Sequence, residues 1–197
     1  MEENQKMNTK KTKTLTWQDV EGQVQDIAHQ IYVSGWRPDY VVGITRGGLV
    51  PAVLLSNLLK VPMHTLHVKL RDDADAESNC WMAEDAVGYV PLEERGITKS
   101  RWDGSKRKNI LLVDDINDTG ATFNWIKTDW RSLCFPHEET LWNAIWEHNV
   151  RFAALIENLD SSFETSYNAV TINKAEDNSW INFPWEAGWW IGHKKEM

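Results

Sequence analysis

Short apolar runs alternate with helical patterns along most of the chain. The runs are bounded by charged or turn-forming residues and cover Tyr40–Ile44, Pro62–Val68, Ile110–Val113 and Val150–Ile156. Runs of this kind are typical of strands that are buried on both faces of a parallel sheet. The alternation therefore predicts an α/β fold, with a twisted, mostly parallel sheet flanked by helices and with ligands at the carboxyl ends of its strands.

Amphipathic patterns predict the helices between these strands. Thr16, followed three residues later by Asp19, resembles a capping box at the start of the first helix. An apolar stripe at helical spacing follows it: Val20, Val24, Ile27 and Ile31. Further helices are predicted over residues 49–59, 123–130 and 138–149. In the last of these, Trp142 and Trp146 are expected to be core or subunit contacts rather than a platform for a ligand.

Two regions lack such a pattern. Residues 1–15 are mostly polar and contain several lysines, which predicts a disordered tail before a single domain over residues 16–197. Residues 70–108 change from acidic to basic without clear periodicity. A long loop of this kind inside a compact domain is either a lid or disordered.

Composition narrows the classes of function. At 197 residues the chain is long enough for one domain with a full core. Its formal net charge of −8 disfavours extended binding to nucleic acids or to anionic membranes. No apolar stretch approaches membrane-spanning length, and the N-terminus lacks the apolar region of a signal peptide. We therefore expect a cytoplasmic protein with no nucleic-acid or membrane partner.

The Ile110–Val113 run ends at two adjacent carboxylates, Asp114 and Asp115. In a strand they point to opposite sides, yet at its carboxyl end both can reach a ligand that lies across the edge of the sheet. Carboxylates in such a position accept hydrogen bonds from sugar hydroxyls or help to hold a hydrated Mg²⁺.

A small polar turn follows the carboxylates and leads into a helix. Its residues offer backbone N–H groups, two hydroxyls and a helix N-terminus, which together suit a phosphate; they are Asp118, Thr119, Gly120, Ala121 and Thr122. Gly120 allows close approach because it has no Cβ. A phosphate cradle beside hydroxyl acceptors predicts a site for a ribose 5-phosphate. The alternative is an ordinary strand–turn–helix in which Asp118 caps the helix.

A second loop joins a predicted strand to a predicted helix, through Thr45, Arg46, Gly47 and Gly48. The two glycines expose N–H groups to an anion, and Arg46 adds a fixed positive charge. A pair of glycines alone is more often structural than functional. Together with the acidic and phosphate motif, however, this loop predicts a second phosphate-binding element.

These two stretches carry a resemblance to a known family. Val113–Thr122 resembles the phosphoribosyl-pyrophosphate (PRPP) binding motif of type I phosphoribosyltransferases, and Thr45–Pro51 resembles the pyrophosphate loop of their xanthine-guanine branch. The resemblance implies Mg²⁺-dependent transfer of ribose 5-phosphate from PRPP to a nucleobase, expected to be guanine, xanthine or hypoxanthine. The products would be a nucleoside monophosphate and pyrophosphate. It also implies a cis peptide between Thr45 and Arg46, a mobile lid over about 70–108, and a homo-oligomer, either a dimer or a tetramer.

The resemblance assigns roles to the predicted site residues. Asp114 and Asp115 would hold the ribose hydroxyls, residues 118–122 the 5-phosphate, and the loop at Arg46 the pyrophosphate. Asp118 would be the catalytic group that takes or steers the N7 proton of the base. The lid would lend one basic residue to pyrophosphate, and four candidates remain open: Lys69, Arg71, Lys99 and Arg101.

The aromatic C-terminal segment, residues 173–193, resembles the hood of the xanthine-guanine enzymes. In this resemblance Trp180 stacks on the base and the Ile181 main chain meets the edge of the base near C2. Glu186 stands where the family has an Asp near the metal, so Asp115 and Glu186 are the expected metal-site residues. The alternative for the tryptophans of this segment is simple closure of a core.

The sequence departs from the family at Asn158. Purine enzymes of the family place a Lys there, whose ammonium donates to the 6-oxo group of the base. Lys can only donate a hydrogen bond, whereas an Asn amide can donate or accept. We therefore expect weaker discrimination between 6-oxo and 6-amino bases, or a base outside the usual set.

Two alternatives to a purine transferase stay open. One is a PRPP-sensing regulatory protein, because a fold does not determine a function. Regulators of this type usually carry a nucleic-acid-binding module or a basic face, whereas this chain is acidic. The other alternative is a transferase for a non-purine base.

Overall fold

The computed structural model describes residues 11–68, 80–95, 101–134 and 139–186. Within these ranges the strands are β1 (Thr12–Thr14), β2 (Tyr40–Thr45), β3 (Met63–His67), β4 (Ile110–Asn117), β5 (Val150–Asn158), β6 (Tyr167–Ile172) and β7 (Trp180–Asn182). A five-stranded sheet has the order β3-β2-β4-β5-β6, with every neighbouring pair parallel. β1 and β7 form a separate parallel pair. The predicted parallel α/β sheet is confirmed.

The described α-helices pack on both faces of this sheet, and they are α1 (Trp17–Val33), α2 (Leu49–Leu59), α3 (Cys80–Val87), α4 (Ala121–Asp129) and α5 (Glu139–Asn143). Alternate residues of the strands point to opposite faces. Val42, Leu112 and Phe152 therefore belong to one core with α3 and α4. Val41 and Leu111 belong to the other core, with α1 and α2. None of the described helices is long and apolar enough to cross a membrane.

Helix α1 begins as its sequence predicts. The Thr16 N–H donates to Asp19 Oδ2 at 2.8 Å, and the Asp19 N–H donates to Thr16 Oγ1 at 3.1 Å. Both halves of the capping box are therefore formed, and two N–H groups at the start of the helix are satisfied. The apolar stripe predicted for this helix is buried.

Strand β4 is longer than predicted. The apolar run predicts that it ends at Val113, but it continues to Asn117 because its main chain remains paired with β5 as far as the partners Asn117 and Glu157. On its other side, the pairing with β2 stops at Val113. Asp114 and Asp115 thus lie inside a strand that is paired on one side only, just beyond the point where its pairing with β2 stops.

The predicted lid over residues 70–108 is too wide. Helix α3 lies inside it, and its buried face, which is formed by Met82, Ala83, Ala86 and Val87, packs into the core beside β4 and α4. This helix was not predicted because its apolar stripe is short and is flanked by many charged residues. Residues 69–79 and 96–100, which include the candidate basic residues Lys69, Arg71 and Lys99, lie outside the described residues.

The helix predicted over 138–149 is also shorter in the structure. α5 ends at Asn143, and the chain then turns through Glu147, which has a φ of 64°. Trp142 and Trp146 are both buried and stack on one another, with ring centroids 5.1 Å apart. Their prediction as core residues is confirmed.

The prediction of a disordered tail over residues 1–15 is wrong for residues 12–15. β1 pairs with β7, with Lys13 opposite Ile181, and Leu15 is buried. The side chains of β1 are exposed, so its residues carry no apolar pattern. Main-chain hydrogen bonds to β7 hold this strand without burial of its side chains, so the pattern of apolar residues did not predict it. Residues 1–10 lie outside the described residues.

Candidate active site

The predicted loop after β2 lies against the part of β4 that carries the acidic pair. β2 and β4 are neighbours in the sheet, and the loop after β2 crosses β4 at Val113–Asp115. A Cβ at Gly47 would overlap the carboxylate of Asp115, and a Cβ at Gly48 would overlap the carbonyl oxygen of Val113. Glycine at these two positions therefore allows the loop to rest directly on β4. The loop and the acidic pair share one edge of the sheet.

The loop after β2 has the cis peptide bond expected between Thr45 and Arg46. Thr45 Oγ1 and His67 Nδ1 are 2.7 Å apart, which ties the loop to the end of β3. Arg46 is exposed, and α2 begins after Gly48 without a side-chain cap. The loop thus combines a guanidinium with the positive end of a helix dipole.

Asp114 and Asp115 form a compact acidic pair at this edge. Asp114 Oδ1 accepts a hydrogen bond from the Asp115 N–H at 3.0 Å, and Asp115 Oδ1 accepts one from the Ile116 N–H at 2.8 Å. Burial raises the pKa of Asp114, and the charge of Asp115 raises it further. Burial also raises the pKa of Asp115 to about 6, with a smaller contribution from the charge of Glu186. Hydroxyl donors or a cation would stabilise the ionised pair.

The acidic pair fits a Mg²⁺ that is held jointly with a substrate. Mg²⁺ usually keeps several waters and takes one or two carboxylates together with substrate phosphates. Among the described residues, no group of three or more His, Cys, Asp or Glu side chains could hold a metal without such help. Glu186 is exposed, and its Oε2 accepts a hydrogen bond from the Phe183 N–H at 3.1 Å. One oxygen of Glu186 is therefore committed to its own turn, and its role at a metal stays a prediction.

The turn after β4 forms a cradle at the start of α4. Residues 114–123 line a cavity of about 250 Å³. Gly120 has a φ of 82° and is the N-cap of α4, with no side-chain cap, and a Cβ on it would lie 2.7 Å from the Phe163 nitrogen. Because Gly120 is the N-cap, Asp118 does not cap the helix. The uncapped first turn faces the cavity as a phosphate site requires.

The side chain of Asp118 is paired with a lysine from a distant part of the chain. Lys174 Nζ lies 2.7 Å from Asp118 Oδ2. Lys174 follows β6, in the segment predicted as the hood. The candidate proton acceptor is therefore not an isolated carboxylate, because it already has a cationic partner.

Asn158 does not present a free amide to a ligand in this arrangement. Its Nδ2 donates to the Asp118 carbonyl oxygen at 2.9 Å and to Asp118 Oδ1 at 3.3 Å. Its Oδ1 accepts hydrogen bonds from the N–H groups of Lys174 at 3.1 Å and Asp160 at 3.4 Å. All donors and acceptors of the amide are in use. The predicted contact between Asn158 and the base does not fit this geometry, in which Asn158 instead holds Asp118 and Lys174 in place.

Of the two residues of β7 that are predicted to contact the base, one has an exposed side chain and the other a buried one. The side chain of Trp180 is 53% exposed, whereas that of Ile181 is buried in the core beside α1. The Trp180 N–H donates to the Lys11 carbonyl oxygen at 2.7 Å. The exposed indole remains suited to stacking on a flat heterocycle, which is worth about 1–3 kcal/mol per base.

Two side chains at this edge were missed in the sequence. His67 ends β3, and Lys174 lies two residues after β6. A polar residue at the end of a parallel strand is a signal for both. Lys174 could have been found only if β6 had been predicted. Most side chains of β6 are partly buried, and its polar and apolar residues follow no clear pattern.

Comparison with known proteins identifies the family. Residues 12–128, more than half of the chain, match the family described as phosphoribosyl transferase domain. The chain belongs to this phosphoribosyltransferase family. The resemblance of its two loops to this family is thereby confirmed, and so is its assignment as an enzyme.

Two relatives carry phosphoribosyltransferase names, and a solved structure shares the fold. The chain is 21% identical over 200 residues to xanthine phosphoribosyltransferase 1 of Saccharomyces cerevisiae, covering 95% of this chain and 92% of the relative. It is 24% identical over 177 residues to the hypoxanthine-guanine phosphoribosyltransferase of Schizosaccharomyces pombe, covering 77% and 78%. The purine phosphoribosyltransferase of Pyrococcus horikoshii has a similar fold, with a TM-score of 0.58 at 23% identity over 90% of this chain and 95% of that one.

Proposed function

We propose that this phosphoribosyltransferase transfers ribose 5-phosphate from PRPP to a purine base and releases pyrophosphate. One observation carries the proposal: the loop at Arg46 rests directly on β4 beside Asp115, on the strand that leads into the cradle at 118–122. A sugar that carries a phosphate at one end and a diphosphate at the other needs two anion sites with hydroxyl acceptors between them. The relatives from the two yeasts are phosphoribosyltransferases for xanthine and for hypoxanthine and guanine, which supports a purine as the acceptor.

In this proposal the parts of PRPP are divided among the elements of the site. The 5-phosphate binds the N–H groups at the start of α4, and the ribose hydroxyls donate to Asp114 and Asp115. The diphosphate binds the loop at Arg46. The acidic pair would also hold Mg²⁺ together with the substrate, and the ion would neutralise charge that develops on the departing pyrophosphate.

The chain's own residues then act on the base. Departure of pyrophosphate leaves positive charge on the ribose, which carboxylates already in place stabilise without reorganisation. Asp118 accepts or steers the proton from N7 as N9 attacks the sugar. Trp180 covers the face of the base and excludes water from it.

The decisive experiment measures pyrophosphate release from PRPP and Mg²⁺ with guanine, xanthine, hypoxanthine, adenine, uracil and orotate in separate reactions. We expect release with at least one purine and none with the pyrimidines. Binding of PRPP without release for any base would instead support the regulatory alternative. Absence of PRPP binding would overturn the whole assignment. Asp115→Ala should lose activity, whereas Asp103→Ala, at an exposed carboxylate outside the site, is the matched control.

We further propose that the enzyme works in the cytoplasm as a dimer or a tetramer, as the resemblance implies. Light scattering on the eluted peak of a size-exclusion column measures the mass in solution. A mass of one chain, 22.8 kDa, at assay concentration would contradict the oligomer.

A further inference from the structure

A second cavity lies between α4 and α5, outside the candidate active site. One wall is formed by α4 with Arg131 and Ser132, which follow it, and the other by α5 with Trp146. Its volume is about 470 Å³, within the range of about 300–1,000 Å³ that small-molecule sites have. None of the described residues that line it belongs to the cradle at 114–123. The cavity is therefore separate from the site assigned to PRPP.

This cavity carries positive charge, although the whole chain has a formal net charge of −8. Lys127 and Arg131 both line it, and none of its described lining residues is Asp or Glu. The two cations are about one helical turn apart, so a single anion can contact both. Neighbouring cations in a concave surface attract an anion and disfavour a second cation.

The two cations remain available to a ligand. Lys127 Nζ lies 5.4 Å from the centroid of the Trp146 ring and 5.5 Å from that of the Phe163 ring. These rings hold the ammonium in place without neutralising it. Arg131 Nη2 is 3.6 Å from Glu139 Oε1, and both side chains are exposed. Exposed pairs of this kind contribute little, so the guanidinium is free to turn toward a ligand.

The remaining lining supplies a polar group and an apolar surface. The exposed amide of Asn143 borders the cavity and can donate a hydrogen bond. Trp142 and Trp146, which stack on one another, form the aromatic part of the lining. A guanidinium, an ammonium and an amide suit the oxygens of a phosphate, and indole surface suits a flat organic group.

We propose that this cavity is a second anion site, which binds a small phosphorylated compound with a flat organic group. An inorganic phosphate would fill only part of the cavity, and the indoles offer contacts to the rest of a larger ligand. The inference does not depend on the proposed transfer reaction, because none of its residues has a role in that reaction. A ligand at this site would bind together with PRPP rather than in its place.

Phenyl phosphate is the probe, because it joins a phosphate to one flat ring. The active site is first filled with PRPP and Mg²⁺ in the absence of any base, so that the probe cannot occupy the cradle or the loop at Arg46. A saturation-transfer NMR titration measures the dissociation constant of phenyl phosphate, and competition against it measures that of inorganic phosphate. We expect phenyl phosphate to bind the PRPP-saturated protein more tightly than inorganic phosphate, and we expect no binding of phenol, its uncharged counterpart.

Lys127→Met and Arg131→Met should each raise the dissociation constant of phenyl phosphate by about tenfold, since each removes a charged hydrogen-bond donor. Lys106→Met is the matched control. Lys106 has the same 45% exposed side chain as Arg131 and also pairs with a carboxylate, that of Glu94, but it lies outside the cavity. It should leave binding unchanged.

Absence of phenyl phosphate binding to the PRPP-saturated wild type would overturn the inference. Equal binding of phenol would overturn the anion site, and equal loss in Lys106→Met would show attraction to surface charge in general. Arg131→Met, at an exposed position, keeps the test decisive if Lys127→Met does not fold. Failure of PRPP to bind would count against the proposed function alone, because the comparison of the variants with wild type can then be made without PRPP.

Discussion

At the scale of single residues, the candidate site depends on carboxylates with different surroundings. Asp114 and Asp115 are partly buried beside one another, and burial raises the pKa of each. Asp118 is more open and has a cationic partner in Lys174. This difference matches the proposed roles, because the pair awaits hydroxyl donors or a cation, whereas Asp118 is held ready as a proton acceptor.

Asp118→Asn tests the role of Asp118. The amide keeps the shape of the carboxylate but cannot take a proton, so we expect kcat to fall by about 10²–10⁴. PRPP affinity should change little, because the cradle N–H groups and the loop at Arg46 remain. Pre-steady-state kinetics and PRPP titration measure the two quantities. Equal losses in kcat and PRPP affinity would argue against a proton-transfer role.

Asp115→Asn tests the effect of burial on the acidic pair. The pKa of Asp115 is raised to about 6 in the folded protein, so its ionised form lowers the free energy of unfolding. This loss of stability is absent at a pH well below the pKa that Asp115 has in the unfolded protein. It grows between about pH 4 and pH 6 and is complete above that range. The variant should therefore stabilise the ligand-free protein at pH 7.5 by about 1–3 kcal/mol, and by less at pH 4.5.

Urea denaturation at the two pH values measures this change. Asp19→Asn is a control of opposite sign, because hydrogen bonds from Thr16 lower the pKa of Asp19 in the folded protein. Its carboxylate stabilises the fold above its unfolded pKa, and this contribution disappears as the pH falls through the folded value. Stabilisation by Asp115→Asn that did not grow with pH would contradict a raised pKa.

At the scale of elements, the hood depends on the strand pair of β1 and β7. Main-chain hydrogen bonds join the two segments at both ends of the pair: the Trp180 N–H donates to the Lys11 carbonyl oxygen, and the Leu15 N–H donates to the Asn182 carbonyl oxygen. Deletion of residues 1–14 should therefore loosen Trp180 and raise the KM for the base by about tenfold, since each lost hydrogen bond contributes about 0.5–1.5 kcal/mol. The KM for PRPP should stay the same.

Deletion of residues 1–10 is the control, because it leaves β1 and the capping Thr16 in place. Both truncated proteins are assayed with the base varied and then with PRPP varied. An equal rise in both KM values would indicate general destabilisation rather than a hood effect. No change in either would show that β7 holds its position without β1.

Comparison of the predicted and observed strands shows where the pattern of apolar residues was sufficient to predict an element. The predicted strands at 40–44, 110–113 and 150–156 correspond to β2, β4 and β5, because central parallel strands are apolar on both faces. β6 lies at the edge of the sheet and mixes polar with apolar residues. β6 and the short helix α3 have weaker patterns and were missed, whereas the other edge strand, β3, was predicted over 62–68.

At the scale of the whole molecule, the order of the strands brings two remote loops to one ligand. Arg46→Ala should weaken PRPP binding by about tenfold to a hundredfold, because it removes a charged hydrogen-bond donor from the diphosphate. Affinity for a purine nucleoside monophosphate should remain within about twofold, because that ligand has no diphosphate on the ribose C1 and needs only the cradle at 118–122.

Calorimetric titration with each ligand separates these outcomes. Lys60→Ala, at an exposed lysine beyond the C-terminus of α2, serves as the charge-matched control. If Arg46→Ala weakened both ligands equally, Arg46 would act on the fold of the site rather than on pyrophosphate. If it weakened neither, the proposed division of PRPP between the two loops would be wrong.

The fold class, the two loops that contain glycine and the carboxylates of the candidate site could all be predicted from the sequence alone. These features are local, since the repeat of apolar residues and the turn formers act within a few positions of the chain. Tertiary structure decided that Lys174 meets Asp118 and that Asn158 serves both of them. Residues this far apart in sequence become neighbours only through strand order and register. No short stretch of the chain encodes that arrangement, because it results from the packing of the whole sheet.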